Sequence, residues 1–189
     1  MTKQTKIIFL IVLVVVAIAV NWQQFQNKTR PSIAPQGPAM TATVSDFSGS
    51  MDETAVLQKT AIPLKCINDA SALPLGDRVC YSNISSYAGI SAIRVAFFFK
   101  DGHLANFKID VPGPLHSEMA KQLTKQLGPP TGAQNTPVKG VRLIGWKLEH
   151  GSVMYNRDPD QGDWNTIHWL SESESERLGG VFISPKEQR

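Results

Sequence analysis

Ile93-Arg-Val-Ala-Phe-Phe-Phe-Lys-Asp-Gly-His-Leu-Ala-Asn-Phe-Lys-Ile-Asp-Val111 is the stretch on which the fold turns. Two runs rich in β-branched and aromatic residues flank Asp101-Gly102, a pair that favours tight hairpin turns. Ile93, Val95, Phe97 and Phe99 alternate with less uniform neighbours, and so do Ala105, Phe107, Ile109 and Val111. Parity constrains the loop. A two-residue loop pairs odd positions with even ones and sets Asn106 and Lys108 beside Phe97 and Val95. A three-residue loop pairs odd with odd and gathers both apolar sets on one face. The expected loop is therefore Lys100-Asp101-Gly102 with Gly102 left-handed. The next choice, Asp101-Gly102-His103, sets Arg94 opposite Asp110. Arg94, Ala96, Phe98 and Lys100 line the other face, where Phe98 is either covered by a second layer or open to a partner.

Downstream, Pro112-Gly113-Pro114 breaks the strand and starts a helix. Leu115, Met119, Leu123 and Leu127 fall four apart, and Ala120 widens that stripe. Glu118, Lys121, Gln122, Lys125 and Gln126 make the opposite face polar, and Gly128-Pro129-Pro130 is a stop. A helix with one apolar face is expected to lie on the odd-numbered face of the hairpin. Thr131 to Lys139 reads as a polar loop. A second hairpin follows, with Ile144, Trp146 and Leu148 before His150-Gly151 and Val153 and Tyr155 after it. A two-residue loop there pairs Leu148 with Val153 and Trp146 with Tyr155, and puts Gly145 opposite Asn156. Asn165 to Leu170 is a last strand with Ile167 and Trp169 in phase and His168 facing the other way. The order hairpin, helix, hairpin, strand predicts an α+β fold: an antiparallel sheet of about five strands with one main helix packed on one face. The run from Leu123 through Leu127-Gly128-Pro129 to a strand bearing Trp146 is similar to one that recurs in small bacterial envelope domains; it names no family and assigns no role to any residue.

Upstream, Ile7 to Val20 is an unbroken apolar run of fourteen residues behind Lys3 and Lys6. As a helix it spans about 21 Å, short of a hydrocarbon core of about 30 Å. Trp22 and Phe25 extend it to an interfacial belt, which favours an uncleaved anchor. Ala17-Ile18-Ala19 offers the alternative, a signal-peptide cleavage site. Basic residues tie across the segment, Lys3 and Lys6 against Lys28 and Arg30, and the short tail favours an amino terminus inside. Both readings place Asn21 onward outside the cytoplasm. The organisation expected is a signal-anchor or signal peptide over 1–25, a Pro-containing linker over 26–48, an extracytoplasmic domain over 49–175 and a polar tail over 176–189. The domain opens on Ser50-Met51-Asp52-Glu53, a capping-box pattern for a short helix from Met51 to Thr60 that Pro63 ends.

Cys66 and Cys80 are the only cysteines among 189 residues, and an even count outside the cytoplasm predicts one disulfide. The loop between them, with Pro74, Gly76 and Asp77, reads as irregular. There is no Cys-x-x-Cys redox spacing and no nearby histidine for a zinc site.

Charge excludes one class. Two of the 19 basic residues precede the apolar segment, leaving 17 against 16 acidic ones, and a nucleic-acid-binding face needs a strong basic excess. Asn156 to Asp163 invites a calcium reading but departs from the EF-hand loop: glycine falls seventh rather than sixth, and the twelfth place is Ile167, not Glu. His103, His116, His150 and His168 form no i, i+4 pair, no serine sits in Gly-x-Ser-x-Gly, and no phosphate-binding glycine loop is present. The sequence therefore predicts no catalytic residue, no metal and no cofactor. Trp146 and Trp169 fall in phase with the core, whereas Trp164 stands at the mouth of the acidic loop. Trp164, with Tyr155 or Phe98, is the expected binding surface. Ser171 to Glu176 reads as a solvated tail or a polar helix start.

The function expected is a non-catalytic, membrane-tethered extracytoplasmic (periplasmic) domain that binds another envelope protein. It would be anchored once in an inner membrane, or released after signal cleavage. A small-ligand or cell-wall-binding module is the alternative, and a hydrolase assembled from dispersed His and Asp residues is third.

Overall fold

The computed structural model describes residues 35–68, 76–135, 142–159 and 163–177. The expected anchor or signal segment and most of the tail lie outside the described residues. Eleven strands are described: β1 Ala39–Met40, β2 Lys65–Asn68, β3 Arg78–Asn83, β4 Ser86–Tyr87, β5 Ile90–Ser91, β6 Arg94–Lys100, β7 His103–Pro112, β8 Gly132–Asn135, β9 Arg142–Leu148, β10 Gly151–Asn156 and β11 Trp164–Leu170. The helices are α1 Glu53–Thr60, α2 His116–Leu127, entered through a 3-10 turn at Gly113–Leu115, and α3 Glu172–Arg177.

The fold is α+β, built on an antiparallel sheet of eight strands rather than about five, ordered β2-β3-β6-β7-β11-β10-β9-β8. A small second sheet, β1-β4-β5, lies beside it. The added strands share a cause. β2, β3 and β8 are short and carry polar residues at about half of their positions, so no sustained alternation of apolar side chains marks them, and backbone pairing with a neighbour makes them strands. The span between the cysteines, expected to be irregular, opens and closes on β2 and β3.

The opening hairpin meets its parity problem in a way neither expected loop foresaw. Asp101 and Gly102 both take positive φ, 51° and 78°, as a two-residue type I′ turn requires, and Lys100 pairs with His103. That turn alone would pair odd with even throughout. The register shifts at Phe98/Phe99, where Phe99 faces Leu104 but Phe98 faces Asn106, and Ala105 is the extra residue. This bulge restores odd-with-odd pairing, so Phe97 meets Phe107 and Val95 meets Ile109. Arg94 therefore lies opposite Asp110, the register expected of the second choice of loop. The bulge also has a use: its Ala105 carbonyl accepts from the Ser171 amide at 2.9 Å, which fixes the start of α3.

The second hairpin keeps the expected parity but turns one step earlier, at Glu149-His150. Trp146 faces Val153, Ile144 faces Tyr155 and Gly145 faces Met154. Gly151 is the reason. A Cβ there would sit 2.2 Å from the Leu170 carbonyl oxygen, so this position belongs inside the ladder against β11 and not in the turn.

The odd face of β6 and β7 is core, as the alternation requires. Phe97 and Phe107 are fully buried, with ring centroids 5.3 Å apart, and Trp169 stacks on Phe107 at 5.2 Å. Met119 and Leu123 of α2 join the same cluster. So does Phe47, 4.8 Å from Phe107, together with Met40 and Val44. Residues 39–47, expected to be linker, thus fill part of this core. Val56 and Thr60 of α1 are buried as well. The N-cap of α1 is Asp52, whose carboxylate accepts from the Ala55 amide at 2.8 Å, whereas the Ser50 hydroxyl bonds to Ser48 instead. Asp52→Ala is therefore expected to cost about 1 kcal/mol in a urea unfolding curve, and Ser50→Ala less than about 0.5 kcal/mol.

Candidate functional site

The outer face of the sheet is even-numbered on β6, β7, β10 and β11 and odd-numbered on β2, β3 and β9. α3 covers one part of it. Ser171 caps that helix, its hydroxyl accepting from the Glu174 amide at 3.3 Å. Glu174 is buried on the sheet between Arg177 at 2.6 Å and Lys100 at 3.7 Å, and the Ser152 hydroxyl bonds Ser175. The Ser-Glu run is thus a helix that closes the face over Asn106, Leu170 and Ser152, all of them buried.

The other part, over β2, β3 and β6, has no such cover among the described residues. Register sets two cross-strand rows there. Ile67, Val79 and Phe98 form one, and Phe98 passes the row on to buried Asn106. Lys65, Tyr81, Ala96 and Lys108 form the second, which continues to His168. Ile67 is 48% exposed, and Phe98 and Val79 are half-buried. The question left by the alternation has a divided answer: Phe98 stands at the border between the part under α3 and the open part.

Arg94 and Asp110 close the next row. The Asp110 carboxylate is buried, accepts from the Arg94 guanidinium at 2.8 Å and from the Thr166 hydroxyl at 3.1 Å. The His168 imidazole is lowered from its ordinary range, first by desolvation against the sheet and next by the Lys108 ammonium; Asp110 acts the other way. Its outer edge stays exposed.

The three residues expected to share a binding surface are not brought together. Trp164 is on the outer face and 43% exposed, paired with Pro112. Phe98 aligns with Leu170 through Asn106, so Trp164 lies six residues, about 20 Å, further along the strand direction. Tyr155 is fully buried on the core side. Its ring stacks on His116 at 5.0 Å, its hydroxyl donates to the His116 carbonyl at 3.5 Å, and burial pushes its phenol pKa up. Alternation placed Tyr155 correctly in the core stripe, and a residue of that stripe cannot also serve the surface. Ile67 and Val79 went unnoticed because they lie on strands with no apolar period of their own.

Cys66 and Cys80 are direct register partners on β2 and β3 and form a disulfide. Glu53 approaches both sulfurs, but the sulfurs are bonded to each other and offer no thiolate to a metal. Glu53 instead receives the Arg78 guanidinium at 2.6 Å, which ties α1 to the β2–β3 hairpin. The bridge fits an oxidising, extracytoplasmic compartment. Among the described residues no helix is long and apolar enough to cross a membrane.

The four histidines lie apart. His103 is at the β6–β7 turn, His150 at the β9–β10 turn, His116 buried as the first residue of α2 and His168 on the outer face. His150 does share an open cleft with Ser48, Ser50, Ser171, Glu172 and Ser173. Its Nε2 reaches only Glu149, at 3.8 Å, while Ser48 bonds Ser50 and Ser171 bonds Ser173, so no hydroxyl there is paired with the imidazole. In the acidic loop Asp158 is engaged with Arg142 at 2.6 Å, and Asp160 lies outside the described residues.

An open sheet face at one edge of a disulfide-bonded α+β domain is the class of site that this geometry defines. Comparison of the chain with family models, with curated proteins and with solved structures finds no match.

Proposed function

We propose that the chain is a non-catalytic extracytoplasmic domain, tethered by its amino-terminal segment to the inner membrane, that binds another envelope protein through the open part of its outer sheet face. The observation that carries this reading is the row Ile67–Val79–Phe98. It sets an exposed isoleucine and a half-buried phenylalanine on either side of Val79, on a face that α3 covers only in part. Apolar side chains aligned across three strands form a contiguous strip, and such strips mark interaction sites more often than scattered ones do. Support for the compartment comes from the disulfide and from the apolar run behind Lys3 and Lys6. The strip rests on rigid strands, stapled by Cys66–Cys80 and braced by Glu53–Arg78, so docking there orders little that is not already ordered.

The test is site-specific photocrosslinking of the full chain in its own cell envelope. A benzophenone side chain replacing Phe98 is expected to yield a discrete protein adduct, and the same group replacing Lys121, on the exposed side of α2, none. Ile67→Ser is expected to cut the adduct about tenfold, which corresponds to about 1.4 kcal/mol. Lipid adducts alone, or equal labelling from positions 98 and 121, would overturn the proposal.

A further inference from the structure

The charge on the open face says what the partner carries. Over residues 35–177 acidic side chains outnumber basic ones 15 to 13, so the domain itself is not basic. The outer face departs from that balance. It holds Lys65, Arg94, Lys100, Lys108 and Lys147 against Asp110, and Glu174 of α3 reaches it from above. Arg94 is paired with Asp110, and Lys100 shares the Glu174 carboxylate with Arg177. Among the described residues, Lys65 and Lys108 have no carboxylate within ion-pair distance, and both stand beside the apolar strip.

Their positions are set by register rather than by the long side chains. Lys65 pairs with Tyr81, Tyr81 with Ala96, and Ala96 with Lys108. That is three strand spacings, about 14 Å. Ile67–Val79–Phe98 runs parallel to this row, two residues away along each strand, about 7 Å. Between the two lysines stand Tyr81, half-buried, and Ala96, small and buried, so neither place in the middle of the row carries a charge. Two unpaired ammonium groups flanking an alanine and a tyrosine, with an apolar row alongside, complement a segment that has carboxylates on one edge and apolar side chains on the other.

We propose that the open face takes an acidic segment of a protein partner. Two of its carboxylates, about 14 Å apart, meet Lys65 and Lys108 while its apolar edge covers Ile67, Val79 and Phe98. This deepens the proposed function and rests on that reading. An anionic lipid surface offers the same charge but not a fixed spacing, and it is an outcome of the test.

The experiment uses the full chain with the photoreactive group at position 98, in its own envelope. Lys65→Glu combined with Lys108→Glu is expected to lower the protein adduct at least tenfold. Lys121→Glu with Lys125→Glu, the same charge change on α2, is expected to leave it unchanged. All four lysines are at least partly exposed, and an unchanged thermal melt of each variant checks that folding is intact. Mass spectrometry of the adduct is expected to show a segment bearing Asp or Glu, and changing those residues to lysine to restore the adduct with the Lys65→Glu, Lys108→Glu chain. An adduct that survives the reversal, a labelled segment without acidic residues, failure of the swap to restore it, or labelling of anionic lipid alone would each overturn the inference. If Ile67→Ser abolishes the adduct while the double reversal does not, the acidic partner falls and the binding face stands. If no protein is labelled at all, both fall.

Discussion

Phe107→Ala is expected to lower the unfolding free energy by about 3–5 kcal/mol, the largest effect of any single change considered for this domain. Phe107 is fully buried and lies at the meeting point of three other rings: Phe47 at 4.8 Å, Phe97 at 5.3 Å and Trp169 at 5.2 Å. These rings come from the residues before α1, from β6 and from β11, so truncation opens a void that no single element can collapse into. The residual cavity adds to the lost transfer energy. Against a typical total of about 5–15 kcal/mol, such a loss leaves a marginal domain. Urea unfolding followed by tryptophan fluorescence reads it directly, since Trp169 stacks on the deleted ring. Phe98→Ala is the control. That side chain is half-buried on the outer face, and its removal is expected to cost no more than about 1.5 kcal/mol. A similar cost for the two changes would mean that the odd face is not the core.

Removing the Cys66–Cys80 bridge is expected to cost about 3 kcal/mol, the chain-entropy value for a loop of about fifteen residues. The loss has a place as well as a size. β2 is an edge strand whose residues are exposed or half-buried, and among the described residues it pairs with β3 alone. The bridge joins direct register partners, so it holds β2 where few side-chain contacts do. In a Cys66→Ser, Cys80→Ser chain, amide exchange is expected to accelerate first at residues 65–68 and only slightly at β7 and β11, which lie inside the sheet. Uniform acceleration across the sheet would show that the bridge acts on the whole domain rather than on its edge. Ile67 sits on β2, so the same variant is expected to weaken the adduct from position 98.

The features legible in the sequence were those that repeat along it. Leu115 to Leu127 had to be a helix with one buried face, because apolar residues four apart allow nothing else that leaves Lys121 and Lys125 in water. Val95, Phe97, Phe107 and Ile109 had to share a face, because a strand sends alternate side chains to opposite sides. The bulge at Ala105 was legible only as a conflict: Asp101-Gly102 wants a two-residue turn, the apolar sets want an even register, and one extra residue reconciles them. β2, β3 and β8 escaped because their pairing depends on backbone groups, which every sequence carries alike. The cap of α1 was misread by two residues because Ser50 and Asp52 both suit the role, and the packing of Met51 against the core decides between them.

What the sequence alone determined about this protein is the set of local commitments: which residues face which way, where helices stop, that the two cysteines pair, and that no local catalytic motif is present. These follow from steric periodicity and residue chemistry and need no partner further along the chain. Only the tertiary structure decided that β11 inserts between the two hairpins, pairing with β7 on one side and β10 on the other, and so joins them into one sheet. Only the tertiary structure decided how far α3 reaches across the outer face. That reach depends on buried Glu174 meeting Lys100, a contact between residues 74 positions apart, and it leaves Ile67, Val79, Lys65 and Lys108 outside the cover. Neither residue of that contact carries a signal of it, because an ion pair is specified by distance and burial, and both are properties of the folded chain.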